Sequence, residues 1–203
     1  MALFNYNDLL NESTISTESA TSTFSYDYLS ENSLFKSESA IDLNEYKEFD
    51  IFLSHSYDDR KIIPALKRQL ELLGYSVYVD WINDKLMSRQ NVTPKTAEIL
   101  QKRMKQSKSL FYATSENTSN SKWMPWELGY FDGLKDKRVA ILPIKKHNNF
   151  SEDFKGQEYL GLYYYVDISQ LSNSTKKALF INESSNKYAN YDRWLNGEEP
   201  YNR

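Results

Sequence analysis

The chain has 203 residues, enough for one domain with extensions, and its formal net charge of −3 indicates no general attraction to nucleic acids or anionic membranes. It contains no Cys, which excludes disulfides, thiolate catalysis and Cys-based metal sites, and its two His residues cannot form a zinc site alone. We therefore expect no metal. The absence of Cys, of a signal peptide and of an apolar run long enough to span a membrane favours the cytoplasm.

Residues 1–46 are predicted to form a flexible, acidic arm rich in Ser and Thr. Up to residue 48 the chain holds nine acidic residues against two Lys, and its short apolar clusters show no sustained periodicity. Such a segment buries too little surface to offset its own ordering entropy. Folding of this arm onto a partner and the absence of any role are both open interpretations.

Residues 47–170 are predicted to form the compact domain. Apolar runs that stop at polar residues are typical of buried parallel strands, and the segments between them carry apolar residues at helical spacing. Thr93 followed by Pro94 is a clear helix start signal. The predicted strands are 49–54, 76–79, 109–113, 139–144 and 163–168.

Residues 171–203 are predicted to form a C-terminal helix and tail, with residues 176–180 as the apolar and basic part of the helix. The sum is an α/β protein with a flavodoxin-like fold, whose five-stranded, mostly parallel sheet has helices on both faces. In such sheets ligands bind outside the carboxyl ends of the strands. Polar residues that follow strand ends, such as Ser54, Ser56 and Asp80, are therefore expected at one edge.

Residues 121–133 gather four aromatic side chains around Glu127, the carboxylate of this stretch that could act as a catalyst. If a helix begins here, Trp123 and Glu127 are four residues apart and share a face. By themselves these residues also fit a structural role, in which the aromatic residues belong to the core and Glu127 caps the helix or pairs with Lys122. His55, at the first strand end, is typical of a residue that hydrogen-bonds within a loop.

Four segments in this order resemble a bacterial Toll/interleukin-1 receptor (TIR) domain over roughly residues 48–168. Residues 49–56 are similar to the first conserved box of the family, and residues 74–80 to its second strand. Residues 81–93 fall where the family has its BB loop, although residues 82–92 contain no Gly. Trp123 and Glu127 match the family motif Trp-x-x-x-Glu, whose Glu is catalytic in members that cleave NAD.

The resemblance implies an enzyme that uses NAD as a substrate, not as a cofactor, and releases nicotinamide. The ring that leaves NAD is a cationic pyridinium, so nicotinamide departs as a neutral molecule and needs no general acid. One carboxylate near the ribose is then enough to stabilise the charge that develops there. Glu127 is the predicted catalytic residue, and Arg103, Lys85 and Arg89 are weaker candidates for contacts to the pyrophosphate. The other predicted substrate-binding residues are Phe52, Ser54, Ser56, Asp80, Trp81, Arg103, Trp123 and Trp126.

The resemblance also implies partners. The chain is similar to the TIR component of Thoeris antiphage systems. This similarity implies that the product is an ADP-ribose-derived, often cyclic, signal that activates a separate effector. It also implies self-association of TIR domains and a phage protein as a possible trigger. A non-catalytic adaptor that acts by assembly alone, and an effector that depletes NAD, are the alternative functions.

Overall fold

The computed structural model describes residues 3–20, 47–84, 93–118, 121–146, 158–172 and 174–202. Within this described part nine strands form one sheet. They are β1 (Phe4–Asn5), β2 (Phe49–Ser54), β3 (Val77–Tyr78), β4 (Ser107–Thr114), β5 (Val139–Lys145), β6 (Tyr164–Gln170), β7 (Lys177–Ser184), β8 (Lys187–Asn190) and β9 (Tyr201–Asn202).

In the described part of the chain, six α-helices accompany the sheet, together with two short 3₁₀ helices, Tyr57–Asp59 and Glu158–Leu162. None of these helices is long and apolar enough to cross a membrane. The α-helices are α1 (Tyr6–Ala20), α2 (Ile63–Leu72), α3 (Asp80–Asn83), α4 (Pro94–Lys105), α5 (Met124–Lys135) and α6 (Tyr191–Leu195).

The five predicted strands form the parallel part of the sheet, in the order β3-β2-β4-β5-β6. The expectation of a five-stranded sheet is wrong in number. Strands β7, β8 and β9 continue the sheet beyond β6 in antiparallel fashion, and β1 pairs with the end of β5. Since the central strands are parallel, β2 and β4 still end at the same edge of the sheet.

The helix expected around residues 176–180 is a strand. Lys177–Ser184 pairs with β6 over six residues, from Tyr165↔Asn182 to Gln170↔Lys177. Ala178, Leu179 and Ile181 are buried by this pairing. Apolar burial in the sheet therefore outweighs the local helical spacing, as it commonly does for short segments.

Residues 3–20 also differ from the expected flexible arm, because they form β1 and α1. Phe4 and Leu9 are buried in the core, and Phe4 lies opposite Ile144 in the pairing of β1 with β5. On α1 the Glu12 carboxylate accepts a hydrogen bond of 2.8 Å from Gln69 Nε2 of α2. Burial of Phe4 and Leu9 thus helps to offset the conformational entropy that residues 3–20 lose on folding, which the sequence pattern did not indicate. The rest of the expected arm, residues 1–2 and 21–46, lies outside the described residues.

Apolar side chains cover both faces of the sheet. We call the group that includes Phe52, Leu100, Leu128 and Phe131 the α5-side cluster, since it packs α4 and α5 on one face. The group on the opposite face, which includes Leu9, Leu66, Leu70 and Trp194, is the α2-side cluster and packs α1, α2 and α6. Helices therefore flank both faces, as the sequence predicts.

Candidate active site

Strand β2 brings two predicted site residues to the same side of the sheet. Successive side chains of a strand point to opposite faces, so Phe52 and Ser54 share one face while Leu53 lies on the other. Phe52 packs into the α5-side cluster and Leu53 into the α2-side cluster. Ser54 is the last residue of β2 and is completely buried. It therefore lies at the carboxyl edge, on the side where α5 packs.

The start of α5 fixes the position of Glu127. Ser121 Oγ accepts a hydrogen bond of 3.3 Å from the Met124 N–H, and Pro125 takes the second helical position, where its missing N–H costs little. Glu127 follows in the first turn. The positive end of the helix dipole favours a negative charge at this position.

Glu127 and Ser54 meet across 73 residues of sequence. Ser54 Oγ donates a hydrogen bond of 2.6 Å to Glu127 Oε2, a length typical of a hydroxyl on an ionised carboxylate. Both side chains have 0% exposed surface. The contact holds a carboxylate at the carboxyl edge of the sheet, where the fold class binds its ligands.

Three predicted aromatic residues accompany this pair. Trp123 is almost fully buried in the α5-side cluster with Phe52. Trp126 packs against this cluster with its ring edge-on to Trp123, at 5.4 Å between ring centres. Tyr130 then stacks on Trp126 at 5.6 Å. Phe52, Trp123 and Trp126 thus lie on the same side of the sheet as Glu127, as the site prediction requires.

Tyr112 of β4 belongs to the same group, although the sequence prediction omitted it. It is the register partner of Ser54, its side chain is 2% exposed, and it is part of the α5-side cluster. Burial, the Tyr159 hydroxyl and the charge of Glu127 together raise the pKa of Tyr112 above its usual value. The sequence offered one signal for Tyr112: it lies two residues before the end of β4 and therefore shares a face of the sheet with the last residue of that strand.

Ser56 acts on the backbone. Its Oγ accepts a hydrogen bond of 3.3 Å from the Asp58 N–H at the start of the 3₁₀ helix after β2. Next to it the buried Asp59 accepts hydrogen bonds from Ser115 Oγ at 2.6 Å and from Asn117 Nδ2 at 2.7 Å. These bonds tie the loop after β2 to the loop after β4, which supports the edge beside Ser54.

Asp80 and Trp81 assemble with His55 on the opposite side. Trp81 Nε1 donates a hydrogen bond of 3.0 Å to His55 Nε2, and His55 Nδ1 lies 3.0 Å from the Leu53 carbonyl. An indole N–H only donates, so Nε2 accepts and the imidazole is neutral with its proton on Nδ1. Asp80 Oδ1 lies 3.7 Å from Nε2. Trp81 packs against the α2-side cluster, away from the cluster around Glu127, because α3 begins directly after the short β3.

Arg103 is engaged with Asp84. Its Nε and Nη2 donate to the two Asp84 oxygens at 2.9 and 2.7 Å, and Nη1 donates to Gln106 at 3.0 Å. Burial raises the pKa of Asp84, but hydrogen bonds from Arg103 and Tyr78 outweigh it and bring the pKa below its usual value. The same pair raises the pKa of Arg103. The guanidinium therefore holds the end of α3 against α4. Lys85 and Arg89 lie outside the described residues.

We expect Arg103→Lys to affect stability and leave substrate binding unchanged. Lysine keeps the charge but cannot make the two-pronged contact, so the free energy of unfolding should fall by about 1.5 kcal/mol in urea denaturation. The KM for NAD should stay within about twofold of wild type, because the Arg103 guanidinium is engaged with Asp84 and Gln106. A change of this size indicates little loss of substrate binding. The exposed Lys102→Arg is the matched control. A KM that rises tenfold or more would instead support the sequence prediction of a pyrophosphate contact.

Comparison with known proteins identifies this arrangement. The family model described as TIR domain matches residues 51–180, which include the last four residues of β2, with Ser54, and the whole of α5. This chain belongs to the TIR domain family. Strands β3 to β6, Ser54 and the start of α5 with Trp123 and Glu127 thus lie within the part of the chain that matches the TIR domain.

Two relatives extend the comparison. The chain is 49% identical over 195 residues to "Probable 3' cyclic ADP-D-ribose synthase ThsB'" of Bacillus cereus (strain MSX-D12), which covers 96% of this TIR protein and 98% of the relative. It is 31% identical over 112 residues to "Putative cyclic ADP-D-ribose synthase TIR2" of Cytobacillus dafuensis, over 55% of this chain and 28% of the relative. The similarity to the first relative includes the N-terminal and C-terminal segments that flank the family match.

Proposed function

We propose that this TIR protein cleaves NAD, releases nicotinamide and forms a cyclic ADP-ribose that serves as a signal in antiphage defence. The observation that carries the proposal is the buried Ser54–Glu127 hydrogen bond at the carboxyl edge of the sheet. The names of both relatives describe cyclic ADP-D-ribose synthases, and the name of the Bacillus cereus protein favours the 3′ cyclic isomer.

In the proposed reaction Glu127 acts on the ribose. The bond between the anomeric carbon and the pyridinium nitrogen breaks, and its electron pair neutralises the nicotinamide that leaves. The Glu127 carboxylate stabilises the positive charge that develops on the ribose, while Ser54 Oγ fixes the orientation of the carboxylate through its hydrogen bond of 2.6 Å. A hydroxyl of the second ribose then forms the new bond to the anomeric carbon and loses its proton, which closes the ring.

Substrate access requires a change in the site. Glu127 and Ser54 have no exposed surface, so the structure corresponds to a closed state in which NAD does not reach the carboxylate. We propose that self-association of TIR domains shifts the chain towards an open state, as a population shift driven by assembly. The product would then act on a separate effector in the cytoplasm, with a phage protein as the trigger.

The experiment is a reaction of the purified chain with NAD over a wide dilution series, with and without lysate of phage-infected cells. Nicotinamide is followed by chromatography and the nucleotide product by mass spectrometry. We expect a product lighter than linear ADP-ribose by one water, and a rate per chain that falls on dilution. A rate that is independent of concentration contradicts activation by assembly. Linear ADP-ribose alone supports the NAD-depleting alternative, and no nicotinamide under any condition supports the non-catalytic adaptor.

A further inference from the structure

His55 and Trp81 form a pair that the proposed reaction has not used. His55 follows Ser54 directly at the end of β2, and its side chain is completely buried. It meets Trp81, which packs against the α2-side cluster, whereas Ser54 meets Glu127 on the α5 side of the sheet. The imidazole therefore lies on the face opposite to the carboxylate, and its effect on Glu127 passes through Ser54.

A hydrogen bond from the imidazole closes a ring of atoms around the backbone of Ser54. Nδ1 carries the proton of the neutral His55 and donates it to the Leu53 carbonyl at 3.0 Å. The two residues joined by this bond flank Ser54, so a large change in the backbone torsions of Ser54 breaks it. These torsions set the direction of Ser54 Oγ, which donates to Glu127 Oε2 at 2.6 Å. His55 thus restrains the hydroxyl that orients the carboxylate.

Trp81 determines which nitrogen of His55 carries the proton. A neutral imidazole has one proton for two nitrogens, and the hydrogen bond of one nitrogen fixes the state of the other. The indole Nε1–H donates to Nε2 at 3.0 Å, so Nε2 is the acceptor and Nδ1 is the donor. Asp80 Oδ1 lies 3.7 Å from Nε2 and favours a proton there, because a carboxylate accepts hydrogen bonds. The indole therefore keeps the proton on Nδ1 against this influence.

The turn that carries Trp81 is held at both ends of α3. At its start the Val79 N–H donates a hydrogen bond of 2.8 Å to Asn83 Oδ1. After its end Asp84 accepts a hydrogen bond of 2.7 Å from Tyr78 Oη. The fold thus places the indole where it meets His55, before any substrate is bound.

We propose that His55 is a positioning residue, which holds Ser54 and through it Glu127 in the orientation that the reaction needs, and that Trp81 keeps His55 in the required tautomer. The inference rests on the proposed NAD cleavage. A carboxylate stabilises a developing positive charge best when it is aligned before the charge forms, and a misplacement of about 1 Å can cost about a hundredfold in rate. Trp81 takes this role in place of the substrate contact that the sequence predicts.

The first test compares His55→Phe with His55→Asn. Phenylalanine keeps a ring but has no donor, whereas the asparagine amide stands at the position of Nδ1 and can still donate to the Leu53 carbonyl. His55→Phe should lower kcat about tenfold and leave KM for NAD within about twofold, since the misplaced carboxylate acts on the transition state. His55→Asn should restore kcat to within about twofold of wild type, although it leaves Trp81 Nε1 without its acceptor and lowers the melting temperature. A kcat that follows the melting temperature, or is unchanged in both variants, would overturn the inference.

Trp81→Phe tests the tautomer, with Trp194→Phe as the matched control. Trp194 is also an indole of the α2-side cluster, but its Nε1 has no hydrogen bond within the described residues. The chain has two His residues, so the nitrogen NMR signals of the His55 ring can be assigned from their loss in His55→Asn. In Trp194→Phe, as in wild type, the proton should lie on Nδ1. In Trp81→Phe it should move to Nε2, and kcat should fall about fivefold with KM unchanged, the effect of one hydrogen bond. A proton that stays on Nδ1, or a wild-type kcat, would overturn the role of Trp81.

Backbone hydrogen exchange separates the inference from the proposed function, because it needs no turnover. The amides of residues 54–56 should exchange about tenfold faster in His55→Phe than in wild type, the effect of one lost hydrogen bond, and should return to the wild-type rate in His55→Asn. The amides of β7 serve as the internal reference. If His55→Phe does not fold, Trp81→Phe keeps the imidazole and should show the same increase. This pattern in a chain that does not cleave NAD refutes the proposed function and supports the restraint on Ser54. Equal exchange of these amides in wild type and variants overturns the inference, even if NAD is cleaved.

Discussion

Glu127→Gln is expected to lower the rate of nicotinamide release at least about a hundredfold, the cost typical of losing one preorganised electrostatic contact to a transition state. Glutamine has nearly the same shape as glutamate but no negative charge. Its side-chain oxygen can still accept the hydrogen bond from Ser54 Oγ, which is 2.6 Å long in the wild type. The substitution therefore removes the charge that stabilises the ribose cation and keeps the packing around it.

Stability should change little in the same variant. Removing a buried charge relieves its desolvation, and retention of the Ser54 bond prevents an unsatisfied hydroxyl, so the free energy of unfolding should stay within about 1 kcal/mol of wild type or rise. Glu71→Gln is the matched control, because Glu71 is a half-exposed carboxylate on α2, on the other face of the sheet. Nicotinamide release by Glu127→Gln at a rate near that of wild type would refute the catalytic assignment.

The parallel core was predictable because its strands are continuous apolar runs. The strand Val139–Lys145 can be recognised from its own sequence, because it begins with a continuous apolar run. In the structure six of its seven side chains are buried on the two faces of the sheet. The position of Ser54 at the carboxyl edge followed from the same information, because residues at parallel strand ends share an edge. Its hydrogen bond with Glu127 was not predicted. The family resemblance then marked Glu127 among the carboxylates of the chain.

The sequence was less informative where burial depends on partners far away in the chain. Leu9 is buried only because α1 docks against α2, and residues 177–184 become a strand only because β6 offers a free edge. Neither partner is visible in the local pattern. Trp81 illustrates the same limit in the site, since the turn from β3 into α3 directs its indole to His55 on the opposite side of the sheet.

Arg103 shows a further limit. On α4 it stands between Lys102 and Lys105 and reads as part of a basic surface, yet it is almost fully buried against Asp84. The partner lies 19 residues earlier in the chain, after a predicted strand, and no periodicity relates the two. By contrast, Asp167 was visible as a charge within the apolar strand 163–168, but its environment could be found only from the structure.

Asp167 is a buried carboxyl group that weakens the fold at neutral pH. It is 0% exposed on β6, and its two oxygens accept no direct hydrogen bond from the described residues. Asn182 lies diagonally across the β6–β7 pair on the same face and donates its amide to the Tyr165 and Phe180 carbonyls. Burial raises the pKa of Asp167 from 3.8 to about 7, and the nearby Asn182 offsets only part of this effect.

The pH dependence follows from the direction in which burial moves this pKa. Below pH 3.8 the carboxyl is protonated in both the folded and the unfolded chain. Between 3.8 and about 7 the unfolded chain releases the proton and the folded chain retains it, so stability falls as the pH rises. Above about 7 the loss is complete and amounts to roughly 4 kcal/mol as an upper bound, because stability falls by about 1.4 kcal/mol per pH unit between the two pKa values.

Asp167→Asn should therefore stabilise the protein, and more so at high pH. Asparagine has no charge to desolvate, and its amide can donate to Asn182 Oδ1, which has no hydrogen bond in the described residues. The gain in the free energy of unfolding should be larger at pH 8 than at pH 5 by about 2–3 kcal/mol in urea denaturation. Glu98→Gln, which removes an exposed carboxylate on α4, should show no such difference. An equal gain at both pH values would mean that Asp167 titrates normally in the folded chain, and that its burial is compensated by groups outside the described residues.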